Sequence, residues 1–223
     1  MEGEVLPGQI DDEDPIGEHT RYYKTILNNG QIEKSTDLVA RFHAITHRKY
    51  AYYHTTINGH PDNWLIGAIP KEAAIYEIAR RSVPGLKAVH LTPGGVTRYM
   101  CYLSMDQRVS GEAKDAILAA FIGDWHIKYS IAVDSDVDIF NDAEVLWAIS
   151  TRTQPLIDTF VIPEAMGSPL DPTVGGRGTG TLTSRMGIDA TKPVAEPFSE
   201  VCEIPLDLLE KMKVEEYLSE VKD

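Results

Sequence analysis

The spacing of apolar residues changes near residue 60, and it predicts a different kind of structure on each side. Residues 38–57 are rich in β-branched and aromatic side chains in approximate alternation, and residues 20–27 have the same character. This alternation is typical of strands. Because residues 28–30 carry a turn signal and no helical pattern intervenes, we expect antiparallel strands at the edge of a sheet or barrel whose remainder lies elsewhere.

After residue 60, predicted helices alternate with short strands. Pro70 suits a first helical turn, and apolar residues recur at helical spacing from there to about Arg81. Asn141 begins another helix, with Glu144 three positions on as a capping pair. The remaining elements are strands at 86–91, 99–105 and 127–133 and an Ala-rich helix at 111–122. Such alternation predicts an α/β fold with a mixed sheet.

Three segments lie outside this pattern. Residues 1–18 carry seven acids and no Lys or Arg, and two Pro-Gly turns interrupt them. Residues 163–183 are rich in Pro and Gly and predict a loop, which at about 20 residues is long enough to be functional or covered by a partner. A last helix is predicted from Pro205 to about Tyr217, docking on its own domain or on another subunit.

Composition narrows the classes of partner. The chain has 223 residues, and 34 acidic against 21 basic residues give a net charge of −13. An acidic surface repels phosphate backbones and anionic lipid, so we expect neither nucleic acid nor a membrane to be a partner. No apolar run is long enough to span a bilayer, and residues 1–15 lack the basic and apolar regions of a signal peptide, so neither a membrane span nor a secretion signal is expected. Cys101 and Cys202 sit in apolar surroundings without a metal-binding spacing, so buried, reduced thiols and a cytoplasmic location are expected.

Glu13 and Glu18 are the first candidates for chemistry. They are five positions apart, and Pro15 and Gly17 between them make a bend that could aim both carboxylates into one cavity. Close carboxylates in a poorly hydrated pocket cannot both ionise easily, so the pKa of one rises and that group can act as a general acid. On spacing alone, an acidic surface loop is the alternative.

Other motifs in the sequence have simpler interpretations than a metal, nucleotide or hydrolase site. His43 and His47 could pair on a metal or be ordinary strand histidines. Residues 133–138 lack the Gly and Glu of a calcium-binding EF-hand loop. The Gly-rich residues 175–180 are not followed by Lys-Ser/Thr, which favours a flexible loop over a nucleotide loop. Without Gly-x-Ser-x-Gly or a Cys with a local His partner, nucleophilic hydrolysis is unsupported.

Taken together and in order, six segments resemble the UbiD-like decarboxylase family. The resemblance runs from Glu2 to about Pro193, and its last two motifs are the most distinctive. The segments are EGEVLPG, EDPIGEHTRYY, ITHRKYAYYHTTINGHP, HLTPGG, IAVDSDVDIFNDAEVLWAISTRTQP and SRMGIDATKP.

The resemblance implies a carboxy-lyase in which a prenylated flavin removes or adds CO2 on aromatic or α,β-unsaturated acids. Glu18 would be the proton donor and acceptor, and Glu13 the outer carboxylate of a Glu–Arg–Glu network. Asp14 stands where the family usually has Gly. Lys128 matches a lysine that reaches the cofactor phosphate, with a surface lysine at a strand start as the alternative. The residues expected near the substrate are His19, Met186, Ile188 and Asp189.

Family members are about twice this length, and the half absent here supplies the network arginine, the metal ligands and most flavin contacts. Residues 1–60 would therefore close a split-barrel flavin-binding domain, residues 61–204 would form the C-terminal α/β domain, and residues 205–223 would make an oligomer contact. The implied cofactor is prenylated FMN with Mn or Mg and K⁺, and no metal ligand is expected in this chain.

The resemblance also implies partners. A homo-oligomer, a separate N-terminal-half subunit and a flavin prenyltransferase that supplies the cofactor are expected. The chain is then either an expressed C-terminal part or a short subunit, and alone it should bind the flavin weakly or not at all. The alternative is a non-catalytic oligomerisation subunit of a multi-subunit carboxylase.

Overall fold

The computed structural model describes residues 1–13, 16–23, 35–174 and 182–212. Strands β1 (Glu2–Glu13) and β2 (Ser35–Ala44) pair antiparallel into a two-stranded ribbon. The other elements are α1 (Pro61–Ser82), β3 (Leu86–Leu91), a 3₁₀ turn (Pro93–Gly95), β4 (Met100–Met105), α2 (Glu112–Gly123), β5 (Tyr129–Asp134), α3 (Asp142–Arg152), α4 (Pro155–Asp158), β6 (Thr159–Met166), β7 (Leu182–Ala190) and α5 (Leu206–Lys211).

The five strands after α1 form one mixed sheet in the order β3-β4-β5-β7-β6. Strands β4, β5 and β7 run parallel, and the edge strands β3 and β6 are antiparallel to their neighbours. The sheet is covered on both faces, because the adjacent β4 residues Tyr102 and Leu103 belong to different core clusters. Leu103 packs with α1 and α2, and Tyr102 packs with Val145 of α3. The predicted α/β class with a mixed sheet is confirmed.

The ribbon has no comparable core. Val5, Ile10, Leu38 and Phe42 each keep more than half of their surface exposed. A two-stranded ribbon is marginal in water unless further strands or a helix cover it. The ribbon therefore presents an uncovered apolar surface. Within the described ranges, no helix is both long and apolar enough to cross a lipid bilayer.

Strands β3, β4 and β5 and helix α2 are confirmed to within two residues at each end, and helix α3 is confirmed at its start. The side chain of Asn141 caps α3 by accepting a hydrogen bond from the N–H of Ala143. Helix α1, by contrast, begins at Pro61, and Pro70 lies inside it rather than in its first turn. The predicted start was wrong because a proline inside a helix is costly but not forbidden.

The ends of the chain and the Gly-rich segment also differ from prediction. The acidic N-terminal stretch forms β1, and the predicted second strand stops at Ala44, with residues 45–57 irregular. Residues 20–23 bend instead of extending, and residues 24–27 of that predicted strand lie outside the described residues.

Residues 163–183 are not one loop: β6 runs to Met166 and β7 starts at Leu182, while residues 175–181 lie outside the description. The last helix is described as Leu206–Lys211, and the part of its predicted span beyond residue 212 is not described. Cys101 is buried as expected, but Cys202 is exposed.

Candidate functional site

Glu18 lies at the start of a tight turn. Gly17 and Tyr23 form an isolated antiparallel bridge that closes it. The N–H of Glu18 donates to the carbonyl of Tyr22 at 2.9 Å, and the carbonyl of Glu18 accepts from the N–H of Arg21 at 2.9 Å. Both backbone polar groups of Glu18 are thus used inside the turn, and its side chain is half-buried.

The turn packs against the start of α1. The indole N–H of Trp64 donates to the carbonyl of His19 at 2.7 Å. Arg21 has a left-handed backbone (φ 66°), and its guanidinium lies 5.9 Å from the centre of the Trp64 ring. Gly59 lies beneath Arg21, and a Cβ at Gly59 would come within 2.9 Å of Cγ of Arg21. The glycine is therefore needed for this close approach.

His19 is partly buried beside Tyr99, with the ring centres 6.1 Å apart. Its Nε2 is buried and has no hydrogen-bond partner among the described residues. Burial, together with the positive charges of Arg98, His126 and Lys71, lowers the pKa of His19 to about 4. The imidazole is therefore neutral at pH 7.

Lys128 lies just before β5 and is not a surface lysine, since its side chain is only 16% exposed. Its Nζ lies 2.8 Å from Oδ2 of Asp171 and donates to Oγ1 of Thr173 at 2.9 Å. It also lies 5.5 Å from the centre of the Tyr99 ring. Burial opposes ionisation of Asp171, but hydrogen bonds from Lys128 and Thr173 outweigh it and hold the pKa of Asp171 below its ordinary value.

Two open cavities meet at Lys128. One, of about 290 Å³, is lined by Thr20 and Tyr22 of the Glu18 turn together with Val96 and Tyr99. The other, of about 470 Å³, lies against the β6–β7 edge. Met186 lines the second cavity.

The wall of the smaller cavity includes strained backbone. Val96 and Thr97 have φ of 51° and 53°, a left-handed conformation that is rare for β-branched residues. The hydroxyl of buried Thr97 donates to the carbonyl of Trp64 at 3.1 Å. Such strain persists where the surroundings enforce it and is frequent at functional sites.

The other predicted site residues are spread over β1 and β7. Glu13 ends β1 opposite Ser35. Ile188 packs on the core beneath α3, and Asp189 accepts from the N–H and hydroxyl of Thr191. Pro15 lies outside the described residues, so the shared aim of Glu13 and Glu18 stays a prediction.

The proposed histidine pair is not assembled. His43 contacts Glu4, whereas His47 contacts the carbonyl of Arg48 and lies beyond the end of β2. Among the residues that the structure describes, no group of three or more His, Cys, Asp or Glu could hold a metal ion.

Trp64, Tyr99 and Asp171 were missed by the sequence analysis. Trp64 and Tyr99 carry no motif of their own, and their importance comes from contacts with residues distant in sequence. Asp171 was passed over because it lies in a Pro/Gly-rich stretch that predicted only a loop.

Family models match both parts of the chain. Residues 1–61 match the Rift-related domain of 3-octaprenyl-4-hydroxybenzoate carboxy-lyase, and residues 64–190 match its C-terminal domain. The ribbon and the mixed sheet thus correspond to the two matched domains. The chain belongs to the UbiD family, which confirms the resemblance of its motifs.

Similar proteins agree with this assignment. The chain is 35% identical over 173 residues to the anhydromevalonate phosphate decarboxylase of Aeropyrum pernix, covering 78% of this chain and 38% of the relative. The UbiD-class enzyme HmfF of Pelotomaculum thermopropionicum, in complex with FMN, superposes with a TM-score of 0.81 at 38% identity, over 96% of this chain and 46% of that one. An evolved dimeric form of HmfF with prenylated FMN gives 0.74 at 35% identity, over 96% and 43%. The chain therefore spans less than half the length of these relatives.

The residues present fit one end of a flavin mononucleotide rather than the whole molecule. Cofactor pockets usually enclose most of their ligand, within roughly 300–1,000 Å³. The cavities beside Lys128 are open, and the described residues place one ammonium group, that of Lys128, between them. Lys128 could contact a phosphate there, but the rest of the cofactor would need walls from elsewhere.

Proposed function

We propose that this chain is the C-terminal part of a prenylated-flavin-dependent carboxy-lyase that reversibly decarboxylates aromatic or α,β-unsaturated acids. The observation that carries the proposal is the docked turn. Glu18 lies in a turn that docks on α1 through Trp64, and the same turn supplies Thr20 and Tyr22 to the cavity beside Lys128.

Each residue would have a distinct task. Lys128 would hold the phosphate of prenylated FMN, and the bound flavin would supply the electron sink as CO2 leaves. Glu18 would deliver a proton to the carbon that has lost CO2, and take one up in the reverse direction. His19, neutral and largely shielded from water, would lie beside the substrate without adding a charge. The β7 segment that carries Met186, Ile188 and Asp189 would line the substrate pocket, with Met186 at the cavity.

The ribbon indicates what completes the site. Val5, Ile10, Leu38 and Phe42 leave an apolar surface that the described part of the chain does not cover. We expect the N-terminal half of the family's length, in the same polypeptide or as a separate subunit, to pair with it and complete the barrel. That half would bring the network arginine that Glu13 positions, the ligands for Mn or Mg and K⁺, and most flavin contacts. A flavin prenyltransferase would supply the cofactor, and the complex would form a homo-oligomer in the cytoplasm.

The relatives suggest a first substrate. Because the Aeropyrum pernix relative is an anhydromevalonate phosphate decarboxylase, anhydromevalonate phosphate should be tested before simple aromatic acids.

A non-catalytic oligomerisation subunit is the second candidate. It is favoured by the exposed apolar residues of the C-terminal segment, which fit a subunit contact: Ile204, Leu206, Leu208, Leu209 and Met212. The two candidates differ in one respect, namely whether activity of the complex needs the carboxylate of Glu18.

Reconstitution tests the proposal. The chain is mixed with a polypeptide that spans the missing half of the family's length, together with prenylated FMN, Mn²⁺ and K⁺, and CO2 release is followed. We expect activity from the mixture and none from either polypeptide alone. Tight, stoichiometric flavin binding by the isolated chain would contradict the half-site account.

A further inference from the structure

Trp64 connects three segments that are far apart in sequence. It is 6% exposed and lies in the first turns of α1. Its indole N–H donates to the carbonyl of His19, and its own carbonyl accepts from the hydroxyl of Thr97. The face of its ring is near the guanidinium of Arg21. One residue thus joins the turn that carries Glu18, through its side chain, to the strained segment beside the cavity, through its backbone carbonyl.

The two family domains meet at this residue. His19 lies in the part of the chain that matches the Rift-related domain, and Trp64 is the first residue of the part that matches the C-terminal domain. The indole hydrogen bond therefore crosses a domain boundary. The Glu18 turn therefore contacts Gly59, which lies in the same matched domain, and Trp64, which lies in the next one.

The chemistry of the contact favours a specific orientation. An indole has one N–H donor and no acceptor, so the bond fixes both the ring and the His19–Thr20 peptide. Within the turn, the N–H and carbonyl of Glu18 are already bonded to Tyr22 and Arg21. The next carbonyl, that of His19, accepts a hydrogen bond from Trp64, which is not part of the turn. The backbone on both sides of the Glu18 Cα is therefore fixed.

We propose that Trp64 is a positioning residue for Glu18, and that its indole N–H, rather than its bulk, holds the carboxylate toward the reaction site. This inference rests on the proposed function of Glu18. The contact itself can be tested in the isolated chain, so its failure is distinguishable from failure of the carboxy-lyase proposal.

The first test is Trp64→Phe, which keeps an aromatic ring and removes the donor. The matched control is Trp147→Phe, which makes the same change on α3. Amide hydrogen exchange of Glu18 and Arg21 reports on the turn. In Trp64→Phe we expect roughly five- to ten-fold faster exchange at these two amides, as loss of one hydrogen bond predicts. The amides of β5 should keep their protection, and Trp147→Phe should leave the turn unchanged.

A second measurement does not require the Trp64 variant to fold. In the double variant Trp125→Phe/Trp147→Phe, the indole N–H of Trp64 is the one indole signal left. Its hydrogen exchange should be slowed strongly relative to free indole. Exchange at the rate of free indole would overturn the proposal, because it would show that the bond to His19 does not persist.

Activity separates positioning from general packing. In the reconstituted mixture, Trp64→Phe should lower kcat by roughly ten-fold while KM stays within about two-fold, because an imperfectly aimed acid slows the chemical step without weakening substrate binding. A Trp64→Phe mixture with wild-type kcat would overturn the positioning role. So would unchanged exchange at Glu18 and Arg21.

Discussion

The ammonium group of Lys128 lies 2.8 Å from the carboxylate of Asp171, and only 2% of the Asp171 side chain is exposed. Asp171 also accepts from the N–H and the hydroxyl of Thr173. The lysine that we expect to meet a cofactor phosphate is therefore already held by a buried carboxylate. This pair fixes the ammonium between the two cavities and ties β5 to the segment after β6.

Replacing Asp171 should be costly. Asp171→Asn leaves Lys128 charged and largely buried without its counter-ion, so we expect the free energy of unfolding to fall by about 3 kcal/mol. Urea unfolding at pH 7 measures this. Asp207→Asn removes a similar ion pair, with Lys211, in which both side chains are about 70% exposed. It should cost less than about 1 kcal/mol. Equal effects of the two changes would contradict the structural role of Asp171.

His19 should make stability depend on pH. Its pKa is lowered from 6.5 to about 4 in the folded chain, so below pH 6.5 the unfolded chain binds a proton that the folded chain does not. The contribution of neutral His19 to the free energy of unfolding is intact above pH 6.5 and is lost progressively as the pH falls toward 4. The loss is about 2 kcal/mol at pH 5.

The free energy of unfolding of His19→Asn, measured by denaturation at pH 7 and pH 5, tests this pH dependence. The variant should lose about 2 kcal/mol less than the wild type on acidification. His54→Asn, at an exposed histidine, is the matched control and should behave like the wild type. An identical pH dependence in His19→Asn and wild type would show that His19 is protonated normally in the folded chain.

Arg152 should contribute strongly to the stability of the α/β domain. Its side chain is 1% exposed and bonds Asp134 at 2.8 Å and Asp136 at 2.9 and 3.0 Å. Arg152→Ala leaves two carboxylates without this partner, and we expect a loss of about 3–5 kcal/mol in chemical denaturation. Arg80→Ala, at an exposed pair with Glu77, should cost less than about 1 kcal/mol. A comparably small loss in both variants would be inconsistent with a buried network.

The parts of the fold that could be predicted are those with local patterns. Helices α2 and α3 and strands β3 to β5 carry apolar residues at helical or strand spacing that fill the two core clusters, so spacing alone identifies them. Strand β1 was missed because its polar side chains stay exposed and its partner β2 is distant in sequence. Strand β7 was missed because Gly-rich neighbours hid its pattern.

The candidate site was predictable only in part. Motif resemblance identified Glu18 and Lys128, whose neighbourhood the structure describes. The Trp64–His19 bond joins residues 45 positions apart, and Asp171 meets Lys128 only after β5 and the later loop have packed. No local pattern encodes such contacts, because they arise from tertiary packing. The orientation of the Glu13 carboxylate toward the same cavity as Glu18 stays a prediction.

The rate of CO2 release by the reconstituted mixture, compared between wild type and Glu18→Gln, tests the central claim most directly. Glutamine keeps the shape of the side chain but cannot transfer a proton, so we expect a loss of roughly 10²–10⁴-fold with assembly of the complex unchanged. Glu77→Gln, at an exposed position on α1, should have wild-type activity. A fully active Glu18→Gln mixture would contradict the claim and would favour a purely structural subunit.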